Sequence, residues 1–317
     1  MKVFVTRPIP DEHFDLFIAA GIEVDLYDKD EFCSREVLLD RIQGVDAVIV
    51  QWEEVVDKEL FDRAGANLKI VSVMAKGTQN IDLAEAKKRN VTVTNTPTNA
   101  LFDSTAEGAV AMMLSIARQV TTNHNRVKNG DEIFYSPISN MSQALRHKTI
   151  GIVGMGNIGS RIARMMHFGF NNKIIYTSKS RKLTLEKELS AKLVDIDELF
   201  SKSDFVFISI ASTPETKSII SGELITKLRP ESIIVSISGS DVFAEAAIVD
   251  AVKNKAIYGV GLDIYSDNLK PLPEDNLILT AHMANAEHES AGEMAELCVK
   301  NVVNVLSGKA ALTPVNS

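Results

Sequence analysis

Cysteine clusters, long apolar runs and an excess of basic charge are all missing from this chain. Its two cysteines, Cys33 and Cys298, make no disulfide framework, and no Cys/His group has zinc spacing. No metal is therefore expected, and a reducing, cytoplasmic location is. The longest apolar run, residues 108–117, is about half the roughly 20 residues that a membrane helix needs. Arg7, Pro8 and Asp11 interrupt the start where a secretory signal needs an unbroken apolar stretch. With 34 Lys and Arg against 42 Asp and Glu, a formal charge of −8, the chain has no basic stripe to hold nucleic acid. Low-complexity and Pro- or Ser-rich linkers are also lacking. What remains, at 317 residues with 45% apolar composition, is a globular chain of about two domains.

Short β-branched runs alternate with helical patterns almost throughout. Strands are expected at 3–6, 23–27, 47–50, 68–73 and 91–94, with helices near 11–20 and 34–43. A second series follows, with strands at 149–153, 173–177, 205–210, 232–237, 257–262 and 277–280 and a final helix at 287–306. Such alternation means parallel βαβ units with helices on both sheet faces, an α/β doubly wound architecture. Residues 104–118 read as a long helix rich in Ala and Met. The polar stretch 121–145 reads as an arm or interface, or equally as a solvated helix and loop.

The clearest motif is TIGIVGMGNIG at 149–159. A strand runs directly into Gly154, Gly156 and Gly159, and a helix opens at Asn157. In that context the glycines supply a tight turn, a close backbone approach and close helix packing, and the helix N-terminus attracts an anion. A dinucleotide pyrophosphate fits. The acidic residue that should end the next strand and bind the ribose hydroxyls is missing: KIIYT stops at Thr177 and is followed by Ser178, Lys179, Ser180 and Arg181. A carboxylate would repel a 2′-phosphate, whereas Lys179 and Arg181 would pair with one. NADP(H) is therefore expected over NAD(H).

These motifs, with NIDLAEAKKRNVTVTNTP (80–97), STAEGAVAMMLSIAR (104–118), STPETKSII (212–220), VFAEAAIVDAVKN (242–254), GVGLDIY (259–265) and ILTAHMA (278–284), resemble the D-2-hydroxyacid dehydrogenase family across nearly the whole chain. VFVTRPIPDE (3–12) and YTSKSRK (176–182) are most similar to its glyoxylate/hydroxypyruvate reductase branch. The resemblance implies two Rossmann- or flavodoxin-like domains with a cleft between them. Residues 1–98 plus 288–317 would form the substrate domain and 99–287 the dinucleotide-binding domain, in a homodimer. It implies that Gly154, Gly156, Asn157 and Ile158 cradle the pyrophosphate and that Ser178, Lys179 and Arg181 take the adenosine end. Thr105, Ile210, Thr213, Ser238 and Ala284 would lie along the cofactor, with Asp263 at the carboxamide. His282 would be the acid/base beside the nicotinamide, and Lys76 and Gly77 would belong to the turn that grips a substrate carboxylate.

Two of the family's usual catalytic residues are replaced. The Arg position is Gly239, and the last arginine in the chain is Arg229. The Glu position, five residues after Asp263, is Asn268, with Asp267 one residue away. Losing the Arg costs roughly 2–4 kcal/mol of charge-assisted bonding, and Asn268 brings no negative charge to favour a protonated imidazole. Lys76 offers compensation: it stands where the phosphite dehydrogenase branch has a lysine, and a cation there suits an anionic substrate. The sequence thus reads as an NADP(H)-dependent oxidoreductase of a small anionic 2-oxo or 2-hydroxy acid. The alternatives are an NADP(H)-binding protein without turnover, or altered chemistry such as imine reduction or phosphite- or phosphonate-like oxidation. His13, His124, His147, His167 and His288 read as surface or capping residues, and Trp52 as a cleft or sheet-end residue.

Overall fold

The computed structural model describes residues 1–272 and 276–316, and the backbone but not the side chain of Glu245. Residues 273–275 and Ser317, which fall within the expected domains, lie outside the described residues. The chain divides into two compact units, residues 1–101 with 286–317, and residues 102–285.

In the first unit, strands β1 (Lys2–Val5), β2 (Glu23–Leu26), β3 (Ala47–Val50), β4 (Ile70–Val73) and β5 (Thr92–Thr94) form a parallel sheet of order β2-β1-β3-β4-β5. Its central strands are buried on both faces, which is why AVIV and IVSV read as continuous apolar runs. Phe4, Val48, Val50 and Val71 pack on one side with Leu38, Leu60 and Phe61. Val3, Val5, Ile49 and Ile70 pack on the other, with Cys298, Val299 and Val302 of helix His288–Leu306. Side-chain caps start the short helices: Ser34 accepts from Val37 N, Asp57 from Leu60 N and Asp82 from Glu85 N.

In the second unit, β6 (Thr149–Val153), β7 (Lys173–Thr177), β8 (Lys192–Leu193), β9 (Phe205–Ile208), β10 (Ile233–Ser236), β11 (Gly259–Leu262) and β12 (Leu277–Leu279) form a parallel sheet of order β12-β11-β10-β9-β6-β7-β8. Strand order reverses at β6, with β7 on one side and β9 on the other. Doubly wound folds bind ligands at the carboxyl ends of the strands flanking such a point.

Three elements differ from the sequence expectation. The first helix is only Asp15–Ala19, because residues 11–14 form a turn closed by Phe14 N on Asp11 O (2.9 Å) and Phe14 provides no side-chain cap. Strand β8 was not expected: two exposed residues carry no periodicity to read. The long helix starts at Asn99 rather than 104, with Thr98 Oγ1 accepting from Leu101 N (3.1 Å). This Asn99–Arg118 helix is long and apolar enough to cross a membrane. Its apolar residues Ala106, Ala109, Met112, Met113, Ile116 and Ala117 are instead packed in the core of the second unit with Ile150, Ile152 and Met166. Residues 121–145 hold all but the first residue of helix Val120–Lys128 and then, from 129 onward, no helix or strand.

Candidate functional site

The expected cofactor residues of the second unit other than Thr105 lie on loops that leave the carboxyl ends of its strands or, for Asn157 and Ile158, in the helix turn that follows such a loop. After β6, Gly154 takes φ +96°, and a Cβ there would sit 2.7 Å from both Ser209 O and Ile210 Cγ2. The loops after β6 and β9 therefore meet at this glycine, at the point of strand reversal. A Cβ on Gly159 would lie 2.2 Å from Gly154 O, so the helix can approach the turn only as glycine. Gly156 differs. Its φ is ordinary and nothing lies within 4 Å of a Cβ built on it. No protein contact demands a glycine there; the open space does, if backbone is to approach a phosphate. Asn157 and Ile158 form the first turn of helix Asn157–Phe170, whose N-terminus has no side-chain cap and so keeps N–H donors for an anion. These residues fit a dinucleotide pyrophosphate.

The adenosine-side residues Ser178, Lys179 and Arg181 follow β7. Arg181 is not a loose cation: its Nε and Nη2 hold Glu186, 2.8 Å from Nη2 to Oε2. Ile210 and Thr213 lie on the loop after β9. Ile210 N donates to Ser238 Oγ (2.9 Å), which joins that loop to the one after β10, and Thr213 N donates to Thr216 Oγ1 (2.9 Å). Thr105 sits one helical turn before Gly108, on the same face. A Cβ on Gly108 would lie 2.6 Å from Ala284 O, so that face rests directly on the 280–284 turn.

That turn carries His282. Asp263, 3% exposed at the end of β11, accepts three hydrogen bonds at Oδ1: from Thr280 Oγ1 (2.7 Å), Met283 N (2.8 Å) and Ala284 N (3.1 Å). His282 N donates to Asp263 O and Thr280 O, both at 2.8 Å. The turn places His282 at φ +57° with its side chain exposed. A left-handed non-glycine residue costs about 1–3 kcal/mol, and three bonds to a carboxylate at roughly 1.5–3 kcal/mol each outweigh it. Asp263 thus fixes the histidine, a role that its place in GLD does not reveal.

Gly239 and Asn268, expected at the positions of an Arg and a Glu, sit in different surroundings. A Cβ on Gly239 would lie 2.9 Å from Asp241 Oδ1 and 3.2 Å from Ser212 Oγ. Ser212 and Asp241 are hydrogen-bonded to each other across the glycine, so the space beside the missing side chain is taken. Asn268 is the middle residue of a short 3₁₀ turn, Asp267–Leu269. Asp267, the possible substitute, is paired with Lys270 at 2.6 Å.

In the first unit, Lys76 and Gly77 form the turn after β4. Thr96 N donates to Ala75 O (2.9 Å) and Asn95 Nδ2 to Lys76 O (2.7 Å). In trans peptides the next N–H points the opposite way, so the amides of Lys76 and Gly77 face away from that anchor. Trp52 borders the turn: a Cβ on Gly77 would come 3.0 Å from its ring. Desolvation lowers the Lys76 pKa, an effect limited by the exposure its side chain retains. Nearby, at the strand reversal between β1 and β3, Glu54 is 4% exposed and accepts from Thr6 Oγ1 (3.1 Å) and Gln51 N. Neither Glu54 nor the Glu186 pairing was legible in the sequence, because both are made by folding and neither has a motif.

Comparison with known proteins identifies the family. Residues 110–284 match the model of the D-isomer specific 2-hydroxyacid dehydrogenase NAD-binding domain. The chain is 36% identical to a glyoxylate reductase of Pyrococcus furiosus, over 99% of this chain and 95% of that protein. It is 35% identical to a glyoxylate reductase of Thermococcus litoralis, over 99% and 96%. A Thermus thermophilus protein of known crystal structure superposes with a TM-score of 0.91 at 28% identity, over 99% of this chain and 100% of that one. By these matches the chain belongs to the D-isomer specific 2-hydroxyacid dehydrogenase family, whose members are oxidoreductases acting on CH–OH groups with a nicotinamide dinucleotide.

Proposed function

We propose that this protein is an NADP(H)-dependent reductase of a small anionic 2-oxo acid, of glyoxylate or hydroxypyruvate size. The observation that carries the reading is the His282 turn, built by Asp263 at the same carboxyl edge of the sheet that bears the glycine cradle. The bound nicotinamide supplies the hydride. His282 gives the substrate oxygen its proton in reduction and takes it back in oxidation. Lys76 and the amides of residues 76 and 77 grip the substrate carboxylate, the lysine standing in for the absent arginine. Gly154, Gly156, Asn157 and Ile158 cradle the pyrophosphate. Ser178, Lys179 and Arg181 take the 2′-phosphate, which no carboxylate at the end of β7 opposes. Thr105, Ile210, Thr213, Ser238 and Ala284 line the cofactor, and Asp263 holds its carboxamide as well as the His282 turn. Residues 1–98 with 288–317 act as the substrate domain and 99–287 as the cofactor domain, in a cytoplasmic homodimer.

A second reading, an NADP(H)-binding protein without turnover, is supported by reading Gly239 and Asn268 at the family's Arg and Glu positions, with Asp267 engaged by Lys270. Altered chemistry on an imine or a phosphite- or phosphonate-like anion rests on the same substitutions. NADPH oxidation with glyoxylate, hydroxypyruvate, pyruvate and phosphonopyruvate separates these readings. Turnover of a 2-oxo acid is expected, with NADPH bound more tightly than NADH. His282→Ala should lower kcat by about 10²–10⁴-fold. Lys76→Ala should lower kcat/KM by roughly 30- to 1,000-fold without changing NADPH affinity. Tight NADPH binding with no turnover on any of the four acids selects the binder.

A further inference from the structure

We propose that Glu186 and Tyr176 are positioning residues for cofactor choice: together they hold Arg181 in the pose that receives a 2′-phosphate. The inference rests on reading the 178–181 loop as the 2′-phosphate site. Tyr176, next to last in β7, is fully buried, yet its hydroxyl reaches the loop. It donates to Glu186 Oε1 (2.7 Å) and accepts from Lys182 N (2.7 Å). Glu186, on helix Leu183–Leu189, in turn takes the fork of Arg181: Nε lies 3.0 and 2.9 Å from its two oxygens, and Nη2 lies 2.8 Å from Oε2. Arg181, and after it Tyr176, holds the Glu186 carboxyl below the usual range. A chain of hydrogen bonds therefore runs from the buried strand end to a guanidinium whose side chain is 65% exposed.

Two opposite consequences are possible for a carboxylate beside an anion site. It can mask the arginine and repel the phosphate, or it can orient the arginine in advance. The geometry favours orientation. Both Glu186 oxygens are already committed, to the tyrosine and the guanidinium, so its charge is spent within the chain of bonds. Lys179 and Lys182 leave the loop net positive. The pair uses Nε and Nη2, and the Nη1 donors lie outside it. An exposed arginine held in one pose loses less freedom when it captures a phosphate.

Titration calorimetry with NADPH, NADH, 2′-AMP and 5′-AMP on the full-length protein tests this without reference to turnover. Glu186→Gln should raise the Kd for NADPH and 2′-AMP by about 3- to 10-fold and leave NADH and 5′-AMP within twofold. Tyr176→Phe should act in the same direction, more weakly, and Arg181→Ala should remove most of the NADPH preference. Tighter NADPH binding by Glu186→Gln would mean masking and overturn the proposal. So would equal weakening of both cofactors, or no change in either variant, when Arg181→Ala abolishes the preference. If wild-type protein shows no preference for NADPH, the 2′-phosphate reading fails first and this proposal falls with it.

Discussion

Glu54 shows what a single buried side chain costs. Its Oε1 has no hydrogen-bond partner among the described residues, and Arg7 Nη2 is 3.8 Å away. Burial, opposed in part by bonds from Gln51 and Thr6 and by the Arg7 charge, raises its pKa above the ordinary 4.5. A carboxyl whose pKa is higher folded than unfolded holds its proton more tightly in the native state. That contribution to stability is complete below pH 4.5 and is lost as pH climbs through the raised value. Glu54→Gln has no such proton to lose. Urea unfolding of both proteins should therefore show the stability of wild type falling relative to Glu54→Gln as pH rises from about 4.5. A pH-independent difference would reject this account. At the same scale, His282, Asp263 and Lys76 were legible as residue types in motifs. The Glu186–Arg181 pair and the buried state of Glu54 were not, because a charged residue in a sequence does not announce its partner.

At the scale of elements, the strand–turn–helix at 149–170 holds a glycine that the fold requires, Gly154, and one that no protein contact requires, Gly156. Gly154→Ala must adopt φ near +96° and meet Ser209 O at 2.7 Å. It should destabilise the protein by about 1–3 kcal/mol and weaken dinucleotide binding as well. Gly156→Ala meets nothing within 4 Å at an ordinary φ, so its melting temperature should match wild type while NADPH affinity drops at least tenfold. Thermal melts and fluorescence titration of the two variants check the contrast; loss of stability at Gly156 would contradict it. The βαβ alternation was readable because central parallel strands are apolar on both faces. Strand β8 and the start of the first helix were not, since two exposed residues and an uncapped turn carry no periodic signal.

At the scale of the whole molecule, the segment after helix Val120–Lys128 exposes Phe134 (74%), Tyr135 (87%), Ile138 (91%) and Met141 (56%) without regular structure. Apolar exposure of this kind suits an interaction surface, and the proposed homodimer would use it. Sedimentation equilibrium should give twice the mass of the 34.7 kDa chain, and Phe134→Ser with Ile138→Ser should shift the protein toward monomer. A monomeric wild type would remove the assignment.

The sequence by itself determined the doubly wound architecture, the glycine-rich strand–turn–helix at 149–159 and the lack of any arginine after Arg229. These are properties of local periodicity and residue identity, which are carried along the chain. Only the tertiary structure decided that Asp263 bends its neighbours into the turn holding His282, that Ser212 and Asp241 close over Gly239, and that Glu186 takes hold of Arg181. Each joins groups whose distance is set by how strands and helices pack, and chain order carries no record of that distance until the backbone has folded.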